Sequence, residues 1–214
     1  MRKSTSPERS SKALSVLNAA TTVFLANGFS AATTDMIQRE ADVSKATMYA
    51  CFPTKEAMFA AVIERECSVV SGTVRAIQPQ HGNIAKTLTD IGASYLKIIL
   101  SPPALSLFRV VAAEAPRFPD LARRFYLAGP NIITSMVAEQ LAEAARTGEI
   151  DVQYVGIDAA ASHYVSMLRG EGLLECLMHP TAQPSAAQID HWVRLAVTTF
   201  LCAFGVAKTT PHRS

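Results

Sequence analysis

The chain has 214 residues, of which 49% are apolar and only 18% charged, and its formal net charge is +2. That length suits a small domain plus a larger one, and the apolar excess calls for an extensive core or a partner surface. The weak charge excludes a uniformly basic nucleic-acid binder. Four cysteines without CxxC or finger spacing exclude a disulfide scaffold and a zinc finger, and no apolar run reaches the roughly 18 residues of a membrane span.

The positive charge is concentrated at the start. Arg2, Lys3, Arg9 and Lys12 against Glu8 give residues 1–12 a net +3, whereas residues 13–66 carry −2. Residues 1–10 are therefore expected to be a basic flexible arm, able to track phosphates or simply to solubilise. No hydrophobic segment follows it, so no secretory signal is expected and the cytoplasm is the expected compartment. A helix then runs to Gly28, which is expected to close it in a left-handed conformation.

Residues 28–55 read as two short helices around a tight turn. Thr33 is placed to cap the first, in which Met36, Ile37 and Ala41 recur at helical spacing. Asp42 occupies the turn, Val43 buries between the helices, and Ser44 caps the second, at about 45–51. That helix is too short to be stable alone and must be held by Met48 and Phe52. Lys45, Thr47 and Tyr49 then project outward, where such side chains meet phosphates and base edges. Pro53 ends the helix, Thr54 caps the next, and Lys55 stands at its start. This is the pattern of a helix-turn-helix.

Residues 11–66 resemble the DNA-binding domain of the TetR/AcrR family of bacterial transcriptional regulators. The matching positions are Ala19-Ala20, Phe24, Gly28-Phe29, Thr33, Ile37, Ala41, Val43 to Thr47, Tyr49, Phe52, Lys55-Glu56-Ala57 and Phe59. Two positions depart from the family pattern. Asp42 stands where glycine is usual, and Cys51, preceded by the small Ala50, stands where the family usually has His or Tyr before the final aromatic of the recognition helix. On this reading Thr33, Ser44, Lys45, Ala46, Thr47, Tyr49 and Lys55 form the DNA surface, and the partner is double-stranded DNA.

Beyond residue 66 the chain reads as consecutive helices. One runs from Thr54 to about Gln78, and another spans about 83–100 before Pro102-Pro103. A short one over PALSLFRVVAAEA stops at Pro116. Pro119 to Thr147 is interrupted at Gly129-Pro130, because proline splits a helix. Helices at about 155–178 and 185–207 complete an all-α fold. The expected organisation is an arm at 1–10, a three-helix DNA-binding domain at 11–57, and a helical ligand-binding and dimerisation domain at 58–208.

The last two helices carry much apolar surface. Ala160, Tyr164, Leu168, Ile189, Val193, Ala196 and Phe200 are the expected dimer face, either as a four-helix interface between two copies or packed within one chain. Family resemblance implies the dimer, and also a ligand cavity in the C-terminal domain. Leu105, Phe108, Tyr126, Met136, His163 and Met167 are candidate lining for a lipophilic effector, although each also suits ordinary core. Ligand binding is expected to relieve repression by tilting the helix that begins near Thr54.

Other chemistries find little support. Glu171, Glu175 and His179 share a helical face but read as a solvated stripe, and neither metal nor cofactor is expected. A redox switch at Cys51 is an alternative to local packing of that residue. No hydrolase, metalloprotease or nucleotide-binding motif is present, so neither an enzyme nor a helical adaptor is the expected class.

Overall fold

The computed structural model describes residues 7–179 and 181–206. Ten helices make up the described chain: α1 Pro7–Ala31, α2 Thr34–Ala41, α3 Lys45–Cys51, α4 Lys55–Arg75, α5 Ile84–Ile99, α6 Pro102–Glu114, α7 Pro119–Ala128, α8 Pro130–Arg146, α9 Ile157–Met178 and α10 Ala186–Phe204. The fold is all-α, with no strand among the described residues. One isolated antiparallel bridge pairs Ile150 with Gly205.

Two helix ends differ from expectation. The helix begins at Pro7, so residues 7–10 of the expected arm are helical backbone, while Arg2 and Lys3 lie outside the described residues. Gly28 breaks α1 with φ 76 and ψ 169, a positive φ combined with an extended ψ rather than a left-handed cap. One further turn follows to Ala31, closed by the Ala32 N–H donating to the Gly28 carbonyl at 3.3 Å. A side chain at position 28 would meet no neighbour, so the glycine is required by its backbone angle and not by crowding.

The chain divides into two compact units, residues 1–69 with 102–129 and residues 70–101 with 130–214. This differs from a single cut after residue 57: α6 and α7 join the N-terminal helices, and the division falls inside α4. The first unit is built on rings. Phe24, Phe29 and Phe59 pack with centroids 4.9–5.7 Å apart, and Phe118 meets Phe29 edge-on at 4.7 Å. Val16, Ala20, Met58, Val62 and Ile63 surround them, and Leu107 and Val110 of α6 close the core.

Segment Ser11–Ala31 is, by length and mean hydropathy, apolar enough to cross a bilayer, which qualifies the sequence reading. Its apolar residues Val16, Ala19, Ala20, Val23, Phe24 and Phe29 instead line this core.

In the second unit α8 packs on α9, and α10 packs on α5 and α9. Tyr164 is fully buried, and its hydroxyl donates to the Leu88 carbonyl at 2.6 Å. Its T-shaped contact with Phe200 has a centroid separation of 5.6 Å. A β-carbon on Gly92 would stand 2.8 Å from the Tyr164 hydroxyl, so this close approach of α5 and α9 requires glycine.

That packing involves most of the expected dimer face, in the within-chain arrangement that the sequence also allowed. Ala160, Tyr164, Leu168, Val193, Ala196 and Phe200 are each at most 3% exposed within one chain, and Ile189 is half-buried. The six buried residues pack against one another across α9, α10 and α5 as core of the single chain, whereas Ile189 keeps part of its surface. Helical spacing identified an apolar stripe but not what covers it. The outer faces of the same helices hold Leu174, Met178 and Leu195, all more than half exposed.

Candidate nucleic-acid interface

Three side-chain caps shape the helix-turn-helix. The Thr33 hydroxyl accepts from the Met36 N–H at 3.2 Å, Ser44 from Thr47 at 3.1 Å and Thr54 from Ala57 at 3.1 Å. Each satisfies one of the otherwise unpaired donors at a helix start. Asp42 takes the left-handed conformation, φ 49 and ψ 48, the only described non-glycine residue with positive φ. Asp tolerates that region better than most side chains, so the turn forms without the usual glycine. The Gln38 amide fastens it by donating to the Val43 carbonyl at 2.8 Å. Ile37 and Met48, both fully buried, lock α2 and α3 onto α1.

With Met48 turned inward, the opposite side of α3 faces solvent. Lys45, Ala46 and Tyr49 are exposed, as are Thr33 and Ser44, and Thr47 is half-buried beside the cap, its hydroxyl 2.9 Å from that of Ser44. Lys45 and Tyr49, one turn apart, are both held by the first turn of α2. Lys45 Nζ lies 2.7 Å from Asp35 Oδ1, and the Tyr49 hydroxyl donates to Thr34 Oγ1 at 3.2 Å. The hydrogen bond and charge of Lys45 lower the Asp35 pKa, and Asp35 raises that of Lys45. Arg39 adds an exposed cation on the next turn of α2. Sequence reading missed Thr34, Asp35 and Arg39. The Asp35–Lys45 pair spans a turn between two helices, and no within-helix spacing signals it.

Lys55 is not on this face in the same manner. Its ammonium lies 4.5 Å from the centre of the Phe29 ring and donates to the Ser30 carbonyl at 3.3 Å. Desolvation lowers its pKa. Ser30 is held from two other sides. Its N–H donates to Glu114 Oε1 at 2.8 Å, and its hydroxyl accepts from Arg117 at 3.2 Å. The break at Gly28 explains the first bond: a helical turn restarts there, its leading N–H groups lack partners, and the carboxylate at the end of α6 supplies one. Thus α4, α6 and the α6–α7 corner all grip the turn just before the helix-turn-helix.

The candidate effector-lining residues divide between the units. Leu105, Phe108 and Tyr126 belong to the first, and Met136, His163 and Met167 to the second. Leu105 and Met136 are buried, Phe108 and Met167 half-buried, and Tyr126 and His163 exposed. Phe108 meets Phe125 edge-on at 5.8 Å. A groove of about 600 Å³ in the first unit runs between Ala57, Ala60 and Ala61 of α4 and Phe118 and Leu121 at the start of α7, and none of the six lines it. Glu171, Glu175 and His179 are exposed, and among the described residues no three His, Cys, Asp or Glu side chains converge as metal ligands. Cys51 is half-buried; Cys67 is buried, and desolvation pushes its thiol up to about 11.

Comparison with known proteins agrees with this geometry. Residues 16–62 match the profile of bacterial regulatory proteins of the tetR family, and residues 86–206 match the C-terminal domain of AefR-like transcriptional repressors. No curated protein matches the chain in sequence. Among solved structures, the flavonoid-responsive regulator FrrA is 31% identical with a TM-score of 0.78, the match covering 95% of this chain and all of that one. A TetR-family regulator from Mesorhizobium loti is 23% identical with a TM-score of 0.80, covering 92% of this chain and 98% of its own. One from Pseudomonas syringae pv. tomato is 21% identical with a TM-score of 0.72, covering 91% and 97%. The chain belongs to the TetR family of bacterial transcriptional regulators, and its α1–α3 are the DNA-binding helix-turn-helix of that family.

Proposed function

We propose that the protein is a homodimeric repressor that binds a palindromic operator through α3 and is released by a small lipophilic, aromatic effector. The observation that carries the reading is the outward face of α3, where Lys45, Ala46 and Tyr49 are exposed on a helix anchored by buried Met48. A helix of seven residues reads few base pairs, so affinity and discrimination require two copies on half-sites about 34–36 Å apart or a multiple of that. Leu174 and Met178 of α9 and Leu195 of α10, at 59, 66 and 58% exposed, provide the apolar area for pairing. The match to AefR-like repressors supports the sign of regulation, and the flavonoid response named for FrrA supports a planar aromatic effector.

Release follows from differential affinity for two conformations. Leu105, Phe108 and Tyr126 within the first unit and, separately, Met136, His163 and Met167 within the second remain the proposed effector contacts. Occupancy tilts α4, whose length crosses the division between the units, and moves the two reading helices off adjacent major grooves. A few kcal/mol of coupling is enough.

Selection of bound fragments from random duplex DNA tests the reading, and a twofold-symmetric motif is the expected result. An asymmetric motif, or sedimentation as a monomer on the recovered duplex, defeats the dimer. For the effector, flavonoids that raise the melting temperature are expected to weaken operator binding. Unchanged affinity with every stabilising compound defeats the release mechanism.

A further inference from the structure

The reading face of α3 is not left free. Its cation and its phenol are each tied to a residue in the first turn of α2, Lys45 to Asp35 at 2.7 Å and Tyr49 to Thr34 at 3.2 Å. All four residues are at least partly exposed, so these bonds contribute little to the fold. A carboxylate beside a phosphate-binding lysine is also costly for a protein that must approach a polyanion. Asp35 cancels the Lys45 charge and repels phosphate whenever the pair opens. The segment 13–66 already carries a net −2.

We propose that Asp35 is a specificity-determining residue, which clamps Lys45 so that this lysine meets phosphate only when α3 is seated in register. The proposal rests on α3 being the reading helix. A free lysine on a long flexible stem follows the backbone of any duplex, and such sequence-independent contacts supply essentially all non-specific binding. A clamped lysine offers its charge in one geometry, with the Thr34–Tyr49 bond fixing its neighbour on the same face. Register with the bases is then a condition for phosphate contact. Binding to arbitrary DNA is weakened more than binding to the operator, and the ratio between them rises.

The 2.7 Å contact between Lys45 and Asp35 is made within the single chain, without DNA. Arg39, one turn along α2, is the other cation bearing electrostatically on both groups. Its distance along α2 leaves the direct bond to Lys45.

The test compares the full chain with Asp35→Asn and Asp35→Glu on two duplexes of equal length, the sequence recovered from a random library and its scramble. Asp35→Asn is expected to bind the scramble about tenfold more tightly and the recovered sequence more tightly by a clearly smaller factor, so that the ratio falls, with a non-specific salt slope steeper by about 0.9 for the one added phosphate contact. Asp35→Glu is expected to keep the wild-type ratio. In Asp35→Asn/Lys45→Met the added slope is expected to vanish, which separates release of Lys45 from simple loss of a negative charge. Thermal melting verifies that each variant is folded. A ratio within twofold of wild type in Asp35→Asn, or an added slope that persists without Lys45, overturns the proposal. If the wild-type chain recovers no motif at all, the assignment of α3 as the reading helix fails, and the proposal with it.

Discussion

The two units bury apolar helices by the same physics but differ in how far their surfaces declare a role. In the first, polar atoms at fixed offsets carry the information. Thr33, Ser44 and Thr54 each cap a helix, and the one that Ser44 precedes presents one face inward through Met48 and another outward through Lys45 and Tyr49. In the second, the informative stripe is apolar, and it proves to be the unit's own core, with Tyr164 and Phe200 fully buried. A hydrogen-bond donor at a helix start has few possible partners, whereas an apolar face accepts any other apolar face.

The sharpest way to break this contrast is to place a charge on each side of α10. Val193 is 1% exposed and Leu195 58%. Val193→Glu is expected to cost upward of about 4 kcal/mol, because a carboxylate enters a site with no partner, and urea denaturation of the purified chain measures it. Leu195→Glu is expected to cost the single chain less than about 0.5 kcal/mol while abolishing dimerisation in sedimentation. Equal destabilisation by both would show that the outer face is core as well.

The first unit has its own core limit. Phe59→Ala removes a ring in contact with Phe24 and Phe29 and is expected to cost about 3–5 kcal/mol. Far-UV circular dichroism during urea titration checks it, and operator binding should be lost in parallel. The caps come next. Ser44→Ala is expected to cost about 1 kcal/mol and to weaken DNA binding, since the helix it caps is the reading helix. Ser185→Ala removes the comparable cap of α10, which forms a full capping box with Gln188. It is expected to cost a similar amount with no effect on operator affinity in the dimer. Comparable loss of DNA binding from both would erase the distinction between the units.

Much of this was legible beforehand, and the omissions have common causes. The helix order, the split at Gly129-Pro130 and the three caps follow from local chemistry, because proline and hydroxyl side chains act within a turn of where they stand. Membership of α6 and α7 in the first unit was not legible. It depends on contacts such as Phe118 with Phe29 and Glu114 with Ser30, more than eighty residues apart in sequence. The pairing of Asp35 with Lys45 escaped for the same reason at shorter range, since the turn at Asp42 sets the angle that brings them together. What covers the apolar face of α9 and α10 was not legible for a different reason, because spacing reports that a face is apolar and not which element packs on it.

The smallest expected effect tests whether the α6 grip on α1 is electrostatic. The hydrogen bond from Ser30 to Glu114 lowers the carboxyl pKa below its ordinary value of 4.5, with help from Arg117 and Lys55. A folded-state pKa below the unfolded one means that the contribution is complete above about pH 4.5 and is lost as pH falls through the lowered value. Glu114→Gln keeps an oxygen that can accept from Ser30 but removes the charge, so its stability should fall less steeply across that interval than that of the wild type, the remaining decline coming from other carboxylates such as Asp35. The difference at neutral pH is expected to stay below about 1 kcal/mol. Melting temperatures of the two proteins between pH 3 and 6 decide the matter. Parallel curves would mean that the packing of Leu107 and Val110, rather than this carboxylate, holds α6 against α1.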